Sequence, residues 1–569
     1  MDELTKHKIR RAHFFINNDR TIEFSATDYL VDYENISDLM KRNFELYGEN
    51  EYLKYFTDGG ESESYSYKEF INKIFALADF LIDNGISKEC RVATYSHNHS
   101  DTVILYFAVW KIGAVVVPIN VNEEPDRVEY IIENSNSKLI FTRDEYINKL
   151  NVLKLKECKI ISFEKIKNEL NKKIDIADEI NLNNKTEKID KETEAMIVYT
   201  SGTTGNPKGV VLTQYNLMVD AKYISEWHNV KAGDTMMCVL PIHHVNGTIV
   251  TIMTTMYAGA RLILNQKFQS DKFLERISKE NVKVVSVVPT LLAFMLNSNE
   301  DIKNYNLKNF SHIICGAGPL TCELARNFEN KFGMRIVHGY GLSETTCYSC
   351  FIPRDLNDEN HNKWQNEFGY PSIGIAIDCN EMDIQDDKGN PLNEGEKGEI
   401  VIRGHNVMKY YFNNEEVNRK TFEFEWFRSG DEGFFKYDNF GVKYFFITGR
   451  LKELFIRGGV NISPLEIDEV LSGIECIKSA ISVGFENDWY GEEVGALVML
   501  KDDYNNISEE EKELLKEKIV ITCREKLPFY KSPKVVIFSE NIPVTSTGKY
   551  QRNKVKNLFA QWKGVQFKK

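Results

Sequence analysis

The chain has 569 residues, of which 42% are hydrophobic and 27% are charged, so it has enough apolar material for more than one packed core. Its 71 basic and 84 acidic residues give a net charge of −13, which argues against general binding of nucleic acid or anionic membranes. The ten cysteines are scattered, a pattern typical of reduced thiols. Since no apolar run approaches about 18 residues, we expect a cytoplasmic protein without a membrane span.

Two features of the sequence indicate no specific function. The segment before Ile36 is basic at its start, but its apolar run is too short for a signal peptide. It is interpreted as a docking or dimer arm, or as a strand packed on the main domain. Cys347 and Cys350 have CxxC spacing, but no second pair follows at zinc-ribbon distance, so a metal or redox role is not favoured.

Helical and strand patterns alternate along the first two thirds of the chain. "YKEFINKIFALADFLIDNG", from Tyr67, predicts an amphipathic helix with a glycine stop, and "CRVATYS", "AVVVPIN" and "KLIFT" predict short buried strands. The alternation resumes at "MIVYT" and continues to "MRIVHG", which ends at Gly339. Such alternation favours largely parallel α/β sheets.

The pattern changes after Gly398. "GEIVIRG" and "GFFKYDNFGVKYFFITGR" predict antiparallel strands with "DNFG" as a hairpin turn, and "SPLE" at Ser463–Glu466 predicts a capping box that opens a helix. We therefore predict an α/β protein with a large N-terminal domain, 1–451, of mainly parallel sheets with helices plus a small β-barrel-like part. A small α+β C-terminal domain, 452–569, follows it.

The stretch "YTSGTTGNPKGVVLT", Tyr199–Thr213, predicts a phosphate-binding loop after a strand. Consecutive backbone N–H groups in a loop of Gly, Ser and Thr form a concavity for anions, and one lysine adds a further donor. It is not a Walker A loop, because Pro207 stands where that motif requires its second glycine.

Seven motifs in the same order and spacing resemble the adenylate-forming superfamily, which comprises acyl- and aryl-coenzyme A synthetases, adenylation domains and firefly-type luciferases. The resemblance covers roughly Ile36 to Val555. The motifs after the phosphate loop are "LPIHHVNG" (Leu240–Gly247), "GAGPL" (Gly316–Leu320), "HGYGLSETT" (His338–Thr346), "WFRSGDEGFF" (Trp426–Phe435), "ITGRLKELFIRGGVNISPLEIDEVL" (Ile447–Leu471) and "PVTSTGKYQRNKV" (Pro543–Val555).

The resemblance implies an acid–thiol ligase, an AMP-forming acyl-CoA synthetase. ATP and a carboxylic acid would form an acyl-adenylate and pyrophosphate, and the acyl group would then pass to the thiol of coenzyme A. Because a carboxylate is a poor electrophile, the enzyme must hold two anions in line and neutralise the charge that develops. ATP, Mg²⁺ and coenzyme A, or a carrier-protein phosphopantetheine, are the implied cofactors.

The resemblance also assigns residues to the nucleotide. Asp431 would accept the ribose hydroxyls, because a carboxylate is only an acceptor, and Arg450 would support the ribose beside a hinge at Lys452. Tyr340 would stack on adenine, and Ser343 would contact the α-phosphate. The phosphates would be cradled by Thr200, Ser201, Gly202, Thr203, Thr204, Gly205 and Lys208, and the purine would approach the backbone of Gly316, Ala317 and Gly318.

Three residues are implied to be catalytic. Glu344 matches the magnesium carboxylate of the family, since hard cations prefer oxygen ligands. Lys549 matches the adenylation lysine, which would bridge the substrate carboxylate and the α-phosphate in the transition state. His244 matches the gate between ATP and the acyl pocket. After a rotation of the small domain, Gly458 and Gly459 would let the pantetheine pass close to the backbone.

The acyl pocket would be lined by Val245, Asn246, Gly247 and Cys347, while His243 is equally well interpreted as a packing residue. The absence of Asp and Glu from Thr235 to Ser270 disfavours an amino-acid substrate. "VNG" resembles small- or medium-acyl and carnitine-type ligases more than aryl ones.

Three alternatives share these motifs. The first is a free-standing adenylation enzyme that loads an acyl carrier protein, which would then be a partner. The second is a luciferase-like oxygenase. The third is a nucleotide-binding protein without catalysis, for which damage at Lys549 or Glu344 is expected, and both residues are intact.

Overall fold

The computed structural model describes residues 29–176, 188–200, 206–504, 507–544 and 550–568. Most of the N-terminal segment, five residues of the phosphate loop (Ser201–Gly205) and Lys549 lie outside these ranges. The strands in chain order are β1 (Glu51–Phe56), β2 (Ser62–Ser66), β3 (Arg91–Tyr95), β4 (Val115–Ile119), β5 (Ser137–Thr142), β6 (Lys159–Ser162), β7 (Glu194–Thr200), β8 (Lys208–Thr213), β9 (Thr235–Cys238), β10 (Arg261–Asn265), β11 (Val284–Val287), β12 (His312–Cys315), β13 (Ile336–Tyr340), β14 (Cys350–Phe351), β15 (Ile375–Ala376), β16 (Asn380–Gln385), β17 (Gly398–Gly404), β18 (Tyr410–Tyr411), β19 (Phe427–Tyr437), β20 (Lys443–Arg450), β21 (Phe455–Arg457), β22 (Val460–Ile462), β23 (Ile477–Asn487), β24 (Gly491–Leu500) and β25 (Val535–Phe538).

The described helices include a π-helix at Asn246–Met253. The α-helices in chain order are α1 (Ile36–Tyr47), α2 (Tyr67–Asp83), α3 (Ser100–Lys111), α4 (Pro125–Ser135), α5 (Ile147–Asn151), α6 (Phe163–Ile176), α7 (Gln214–Trp227), α8 (Thr254–Ala258), α9 (Ser270–Lys279), α10 (Pro289–Leu296), α11 (Cys322–Phe332), α12 (Asp358–Asn366), α13 (Glu415–Thr421), α14 (Pro464–Ser472), α15 (Glu509–Lys526) and α16 (Arg552–Lys556).

Two large sheets form the N-terminal part. One has the order β15-β14-β13-β12-β11-β9-β10-β1-β2, and the other has the order β18-β8-β7-β4-β3-β5-β6. Their inner strands pair in parallel, for example β12 with β13 and β3 with β4, so the predicted parallel α/β character is confirmed. Every residue of β4 is buried, as expected where helices cover both faces of a parallel sheet.

The main core lies between these two sheets. Helix α3 is buried along almost its whole length and contacts both β1 and β4, one strand from each sheet. Trp110 at its end is fully buried and donates from its indole N–H to the carbonyl of Ala195 at 2.9 Å. This apolar layer fixes the relative position of the two sheets, whose strand ends carry the candidate site.

A third sheet, β16-β17-β19-β20, is antiparallel. Its β19–β20 hairpin turns at Asp438–Val442, where the Asp438 N–H donates to the Val442 carbonyl at 3.0 Å, which confirms the hairpin predicted at "DNFG". The hairpin is important for the site because its strands bring Asp431 and Arg450 opposite each other.

The C-terminal part has its own sheet, β22-β21-β24-β23, with β25 pairing to β24 in parallel. Ser463 caps α14 by accepting a hydrogen bond from the Leu465 N–H at 3.2 Å. The predicted capping box is incomplete, because Glu466 instead accepts from Lys531 Nζ at 2.8 Å on both oxygens. In the described part of the chain, no helix is both long and apolar enough to cross a bilayer.

Candidate active site

A buried carboxylate stands at the centre of the site. Asp431 Oδ1 lies 3.2 Å from Arg450 Nε, and Asp431 Oδ2 accepts a hydrogen bond from the Tyr340 hydroxyl at 2.7 Å. The Asp431 side chain is only 2% exposed. Burial and the Asp431 charge raise the pKa of Tyr340, and the pKa of Arg450 is raised chiefly by Asp431. Asp431 is therefore an oriented anionic acceptor, held by one neutral donor and one cation.

Glu344 lies in a short 3₁₀ turn, Ser343–Thr345, just after β13. Its Oε1 accepts a hydrogen bond from the Tyr411 hydroxyl at 2.7 Å. Lys208 Nζ lies 5.0 Å from the centre of the Tyr411 ring. Burial and then Lys452 lower the pKa of Lys208, whereas Glu344 opposes the shift. Three side chains predicted for phosphate, metal and hinge are thus brought together, although they are far apart in sequence.

Glu344 has the chemistry of a magnesium ligand. Among the described residues it forms no ion pair within 4 Å, and its side chain accepts a hydrogen bond from the Tyr411 hydroxyl. The described residues contain no group of three or more His, Cys, Asp or Glu side chains that could hold a metal. A single carboxylate suits Mg²⁺, because this ion is usually held by one or two carboxylates together with substrate phosphates and water.

The phosphate loop connects two antiparallel strands. Thr200 at the end of β7 pairs with Lys208 at the start of β8, so these two residues face each other at the base of the loop. The predicted strand before the loop is confirmed. The residues between them that were assigned to the phosphates, Ser201–Gly205, lie outside the described residues.

The loop after β12, which was assigned to the purine, is strained. Ala317 has φ of +60°, a left-handed conformation that costs free energy for any residue with a side chain. A Cβ atom at Gly316 would lie 2.5 Å from the Tyr348 hydroxyl, so only glycine fits there. Protein atoms therefore account for Gly316, while the neighbouring Gly318 faces a cavity.

The loop that contains the two histidines, Leu240–Gly247, is held by a residue that the sequence analysis missed. Asn98 donates to the Leu240 carbonyl at 2.9 Å and accepts from the Ile242 N–H at 2.9 Å. The rings of His243 and His244, which follow directly, are 4.5 Å apart. Burial lowers the pKa of His243 to about 4, so this ring is neutral at pH 7.

The residues assigned to the acyl pocket include a buried polar chain. Asn246 accepts from Ser286 Oγ at 2.7 Å and donates to the Tyr348 hydroxyl at 3.2 Å. Cys347 is buried beside Tyr348, and burial raises its thiol pKa. The other thiol of the CxxC pair, Cys350, is also buried, and burial raises its pKa as well.

A second residue that the sequence analysis missed contacts the backbone of Tyr348. Asp220 on α7 accepts from Asn406 Nδ2 at 3.1 Å and from the Tyr348 N–H at 3.3 Å. Burial raises the pKa of Asp220 to about 8, so it is mostly protonated at pH 7. The side chains of this region, from Asn246 to Asp220, are therefore polar but uncharged at pH 7.

A cavity of about 1030 Å³ lies between the N-terminal and C-terminal parts. His243 and Gly318 line it on one side, and Val544 and Tyr550 line it on the other. These last two residues directly flank the segment 545–549, which contains Lys549 and lies outside the described residues.

Gly458 and Gly459 are not part of the group of side chains around Asp431 and Glu344. They form the two-residue turn between β21 and β22, with φ of +56° and +82°. Both are exposed, and a Cβ atom at Gly459 would meet no atom within 4 Å. Lys452, the predicted hinge, lies in the turn Leu451–Glu453 between β20 and β21.

Sequence reasoning missed Asn98, Asp220, Ser286 and Tyr411 for one reason. Each lies in a segment that reads as an ordinary strand end, helix or loop, and none belongs to a motif. Their partners are 40 to 186 residues away in the chain, so only the folded structure brings them together.

Known proteins are similar to this chain over most of its length. The model for "AMP-binding enzyme" matches residues 40–412, and the model for "AMP-binding enzyme C-terminal domain" matches residues 466–549. An oxalate–CoA ligase of Arabidopsis thaliana is 30% identical over 85% of this chain and 91% of its own length. A sulfoacetate–CoA ligase of Cupriavidus necator is 29% identical over 83% of this chain and 88% of its own length.

Solved structures are similar over almost the whole chain. ATP-bound MatB from Rhodopseudomonas palustris has a TM-score of 0.79 and 25% identity, over 92% of this chain and 99% of that one. An anthranilate CoA ligase in complex with anthranoyl-AMP has a TM-score of 0.81 at 22% identity, over 94% of this chain and 99% of that one, which shows a shared fold.

Proposed function

We propose that this chain, which belongs to the AMP-binding enzyme family, activates a carboxylic acid and passes the acyl group to the thiol of coenzyme A. The chain is an acid–thiol ligase of the AMP-forming acyl-CoA synthetase type. In the first step a carboxylate oxygen attacks the α-phosphorus of ATP, and pyrophosphate leaves. In the second step the thiol sulfur attacks the acyl carbon, AMP leaves, and the thiol proton is released.

One observation carries this proposal. Two groups of side chains, here called the nucleotide cluster, carry the proposed ATP site: Tyr411 contacts Lys208 and Glu344, and Asp431 contacts Tyr340 and Arg450. The charges of Arg450 and Glu344 also interact across the two groups. The nucleotide cluster offers a lysine beside the phosphate loop in one group and an oriented carboxylate in the other. A nucleoside triphosphate has the complementary arrangement, with an anionic phosphate chain and a ribose that carries two hydroxyl donors.

The proposed residue roles follow that complementarity. Asp431 accepts the ribose hydroxyls, and Arg450 and Tyr340 keep the carboxylate in place. Lys208 and Thr200 lie at the base of the loop that receives the terminal phosphates. Lys549 supplies the positive charge at the reacting carboxylate, and the cavity between the two parts of the chain leaves space for it to approach. Preorganised charge of this kind is usually the largest contribution to catalysis.

Glu344 is the proposed Mg²⁺ ligand, and the ion would supply Lewis-acid neutralisation of phosphate charge. The second step requires a different arrangement, because the acceptor turn at Gly458–Gly459 faces open space rather than the cluster. We infer that the C-terminal part, residues 452–569, rotates about Lys452 between the two steps, which makes this motion a gate on turnover.

The proposed substrate is a carboxylic acid without an α-ammonium group. A buried anion next to the carboxylate position would be required to pair with an ammonium. The polar chain around Asn246 contains no charge, and Asp220 behind it is mostly protonated at pH 7. A cytoplasmic setting is part of the proposal, and it is supported by ten cysteines that are all free thiols.

The test is acid-dependent pyrophosphate release from ATP and Mg²⁺ across aliphatic, hydroxy, dicarboxylic, aryl and α-amino acids, each with and without coenzyme A. We expect one non-amino acid to respond and coenzyme A to give its thioester with repeated turnover. An acid that is adenylated but not transferred to coenzyme A would indicate a carrier-protein acceptor instead. Pyrophosphate release with none of these acids would contradict the proposal.

A further inference from the structure

The acceptor turn is built on a buried cluster of three charges in the C-terminal part. Lys534, Glu493 and Arg457 come from the loop before β25, from β24 and from the end of β21. The side chains of Lys534 and Glu493 are both 0% exposed, and that of Arg457 is 10% exposed. None of the three belongs to the nucleotide cluster, and the adenylation step makes no use of them.

The geometry of the cluster is specific. Glu493 Oε1 accepts a hydrogen bond from Arg457 Nε at 2.7 Å and lies 3.4 Å from Lys534 Nζ. Lys534 Nζ also donates to the carbonyls of Phe529 at 2.6 Å and Ser532 at 2.5 Å. Glu493 therefore joins the two cations, and Lys534 is tied on its other side to the backbone before β25.

Arg457 transmits this arrangement to the turn, because it directly precedes Gly458. Its guanidinium stacks over the Tyr490 ring at 3.9 Å, and the Gly458 N–H donates to the Tyr490 carbonyl at 2.8 Å. Strand β21 pairs with β24 at Arg457 and Gly491. The hairpin that carries the turn is thus attached to the sheet at the residue that Glu493 holds.

The turn needs such an anchor. Two consecutive glycines with positive φ form the tightest hairpin turn, but glycine also has the largest backbone freedom to lose on ordering. The strands on either side, β21 and β22, have only three residues each. Their ladder alone provides little pairing, so side-chain contacts must fix the direction of the turn.

Stability alone does not explain a buried charge cluster. Replacing buried ion pairs by apolar side chains is often neutral or stabilising, whereas buried ionic groups can fix one specific arrangement. Burial lowers the pKa of Lys534 to about 8, with Arg457 and Arg524 adding to the shift and Glu493 opposing it. The desolvation of Lys534 therefore costs free energy, and this residue is connected to the acceptor turn through Glu493 and Arg457.

We propose that Glu493 and Lys534 are positioning residues for the thiol-transfer step, which they serve by fixing Arg457 and, through it, the Gly458–Gly459 turn. This inference rests on the proposed function, since it takes that turn as the path of the pantetheine thiol. Neither residue contacts the reacting atoms, and their effect is confined to the second half-reaction.

The experiment measures the two half-reactions separately in the full-length chain. Acid-dependent pyrophosphate release reports adenylation, and thioester formation from supplied acyl-adenylate and coenzyme A reports transfer. We expect Glu493→Gln and Lys534→Met to lower transfer about tenfold or more, while pyrophosphate release stays within about twofold of the unmodified enzyme. Lys563→Met is the matched control, because it breaks an exposed ion pair with Glu486 in the same part of the chain.

The split between half-reactions distinguishes positioning from folding. Lys549 belongs to the same C-terminal part, so a variant that merely unfolds this part would lose both half-reactions. Equal loss of both, or transfer at the unmodified rate in both variants, would overturn the inference. If the unmodified enzyme makes no thioester with any acid, the proposed function fails instead.

A double-substitution cycle gives a second test that tolerates moderate destabilisation. If Glu493 acts through Arg457, then Arg457→Gln combined with Glu493→Gln lowers transfer no further than the stronger single change. Effects on transfer that multiply would show that the two residues act independently and would overturn the proposed route to the turn.

Discussion

The nucleotide cluster and the acceptor turn are constructed in opposite ways. In the first, the ligand-facing groups are side chains that are buried and fixed, as with Asp431, which is held by both Tyr340 and Arg450. In the second, the candidate contact surface is bare backbone at Gly458 and Gly459, exposed on top of a buried charge cluster.

The difference follows from the two ligands. A polyphosphate requires charges that are already oriented, because reorienting charges during the reaction costs free energy. A pantetheine arm is narrow and nearly uncharged, so it requires a clear path along the backbone. If this contrast is correct, substitutions in the two regions should impair different half-reactions, and their effects should not mix.

The largest expected effect comes from Lys549→Ala. Removing the cation that bridges carboxylate and phosphate should lower pyrophosphate release by about a hundredfold or more. Transfer from supplied acyl-adenylate should remain largely intact, because that step no longer involves the phosphate attack. The measurement is the pair of half-reaction rates, with Lys554→Ala as an exposed control nearby. Loss of both half-reactions to the same extent would refute the role of Lys549.

Gly459→Trp should produce the reverse result. A bulky side chain beside the turn should lower thioester formation by about a hundredfold, since small displacements at a reacting centre have effects of this size. Pyrophosphate release should be spared. Gly441→Trp is a close control, because Gly441 is also exposed with positive φ, +79° against +82°. Transfer that survives in Gly459→Trp would mean that the pantetheine takes another path.

Asp431→Asn should weaken ATP binding. The amide keeps the shape but replaces one acceptor oxygen by a donor and leaves Arg450 without its partner charge. We expect the KM for ATP to rise about tenfold, as is typical when a charged hydrogen-bond partner is lost. The control is Asp383→Asn, which breaks the Asp383–Lys443 ion pair in the same sheet. An unchanged KM for ATP would remove Asp431 from the ribose site.

Glu469→Ala tests the contact between the two parts. Both Glu469 oxygens accept from the Cys322 N–H at 3.1 Å, at the start of α11, just beyond the candidate purine loop. Loss of a cap of this kind costs about 1 kcal/mol, so we expect pyrophosphate release to fall by about fivefold. Transfer should be unchanged or faster, and Glu510→Ala, at an exposed position of α15, is the control. A fall in transfer alone would contradict a role for this contact in adenylation.

The smallest expected effect concerns stability and pH. Burial raises the pKa of Asp220 to about 8 in the folded state, whereas its pKa in the unfolded state is near 4. The contribution of Asp220 to the stability of the folded state is therefore complete below about pH 4 and is lost as the pH rises to 8. Asp220→Asn does not titrate. Its Tm relative to the unmodified protein should therefore increase by a few degrees between about pH 5 and pH 8. Thermal unfolding at both pH values measures this, with exposed Asp387→Asn as the control, and a difference independent of pH would contradict it.

The sequence alone determined the elements and the local motifs. Alternating periodicities at "CRVATYS" and "AVVVPIN" predicted parallel strands, and "DNFG" predicted the β19–β20 turn, because these signals depend on residues that are close in the chain. The resemblance likewise selected Asp431, Arg450 and Glu344 from their motifs. At Ser463–Glu466 the local pattern predicted the serine cap correctly but not the partner of the glutamate. Glu466 instead accepts a hydrogen bond from Lys531, which is 65 residues away.

The tertiary structure decided which side chains meet. Tyr411 reaches Glu344 across 67 residues, and Arg457, Glu493 and Lys534 meet only because β21, β24 and the loop before β25 are neighbours in one sheet. No periodicity or spacing encodes these pairs, because each depends on sheet order and on long-range packing. Burial has the same origin: Asp220 and Lys534 look like ordinary surface charges in the sequence, and only the folded chain removes them from water.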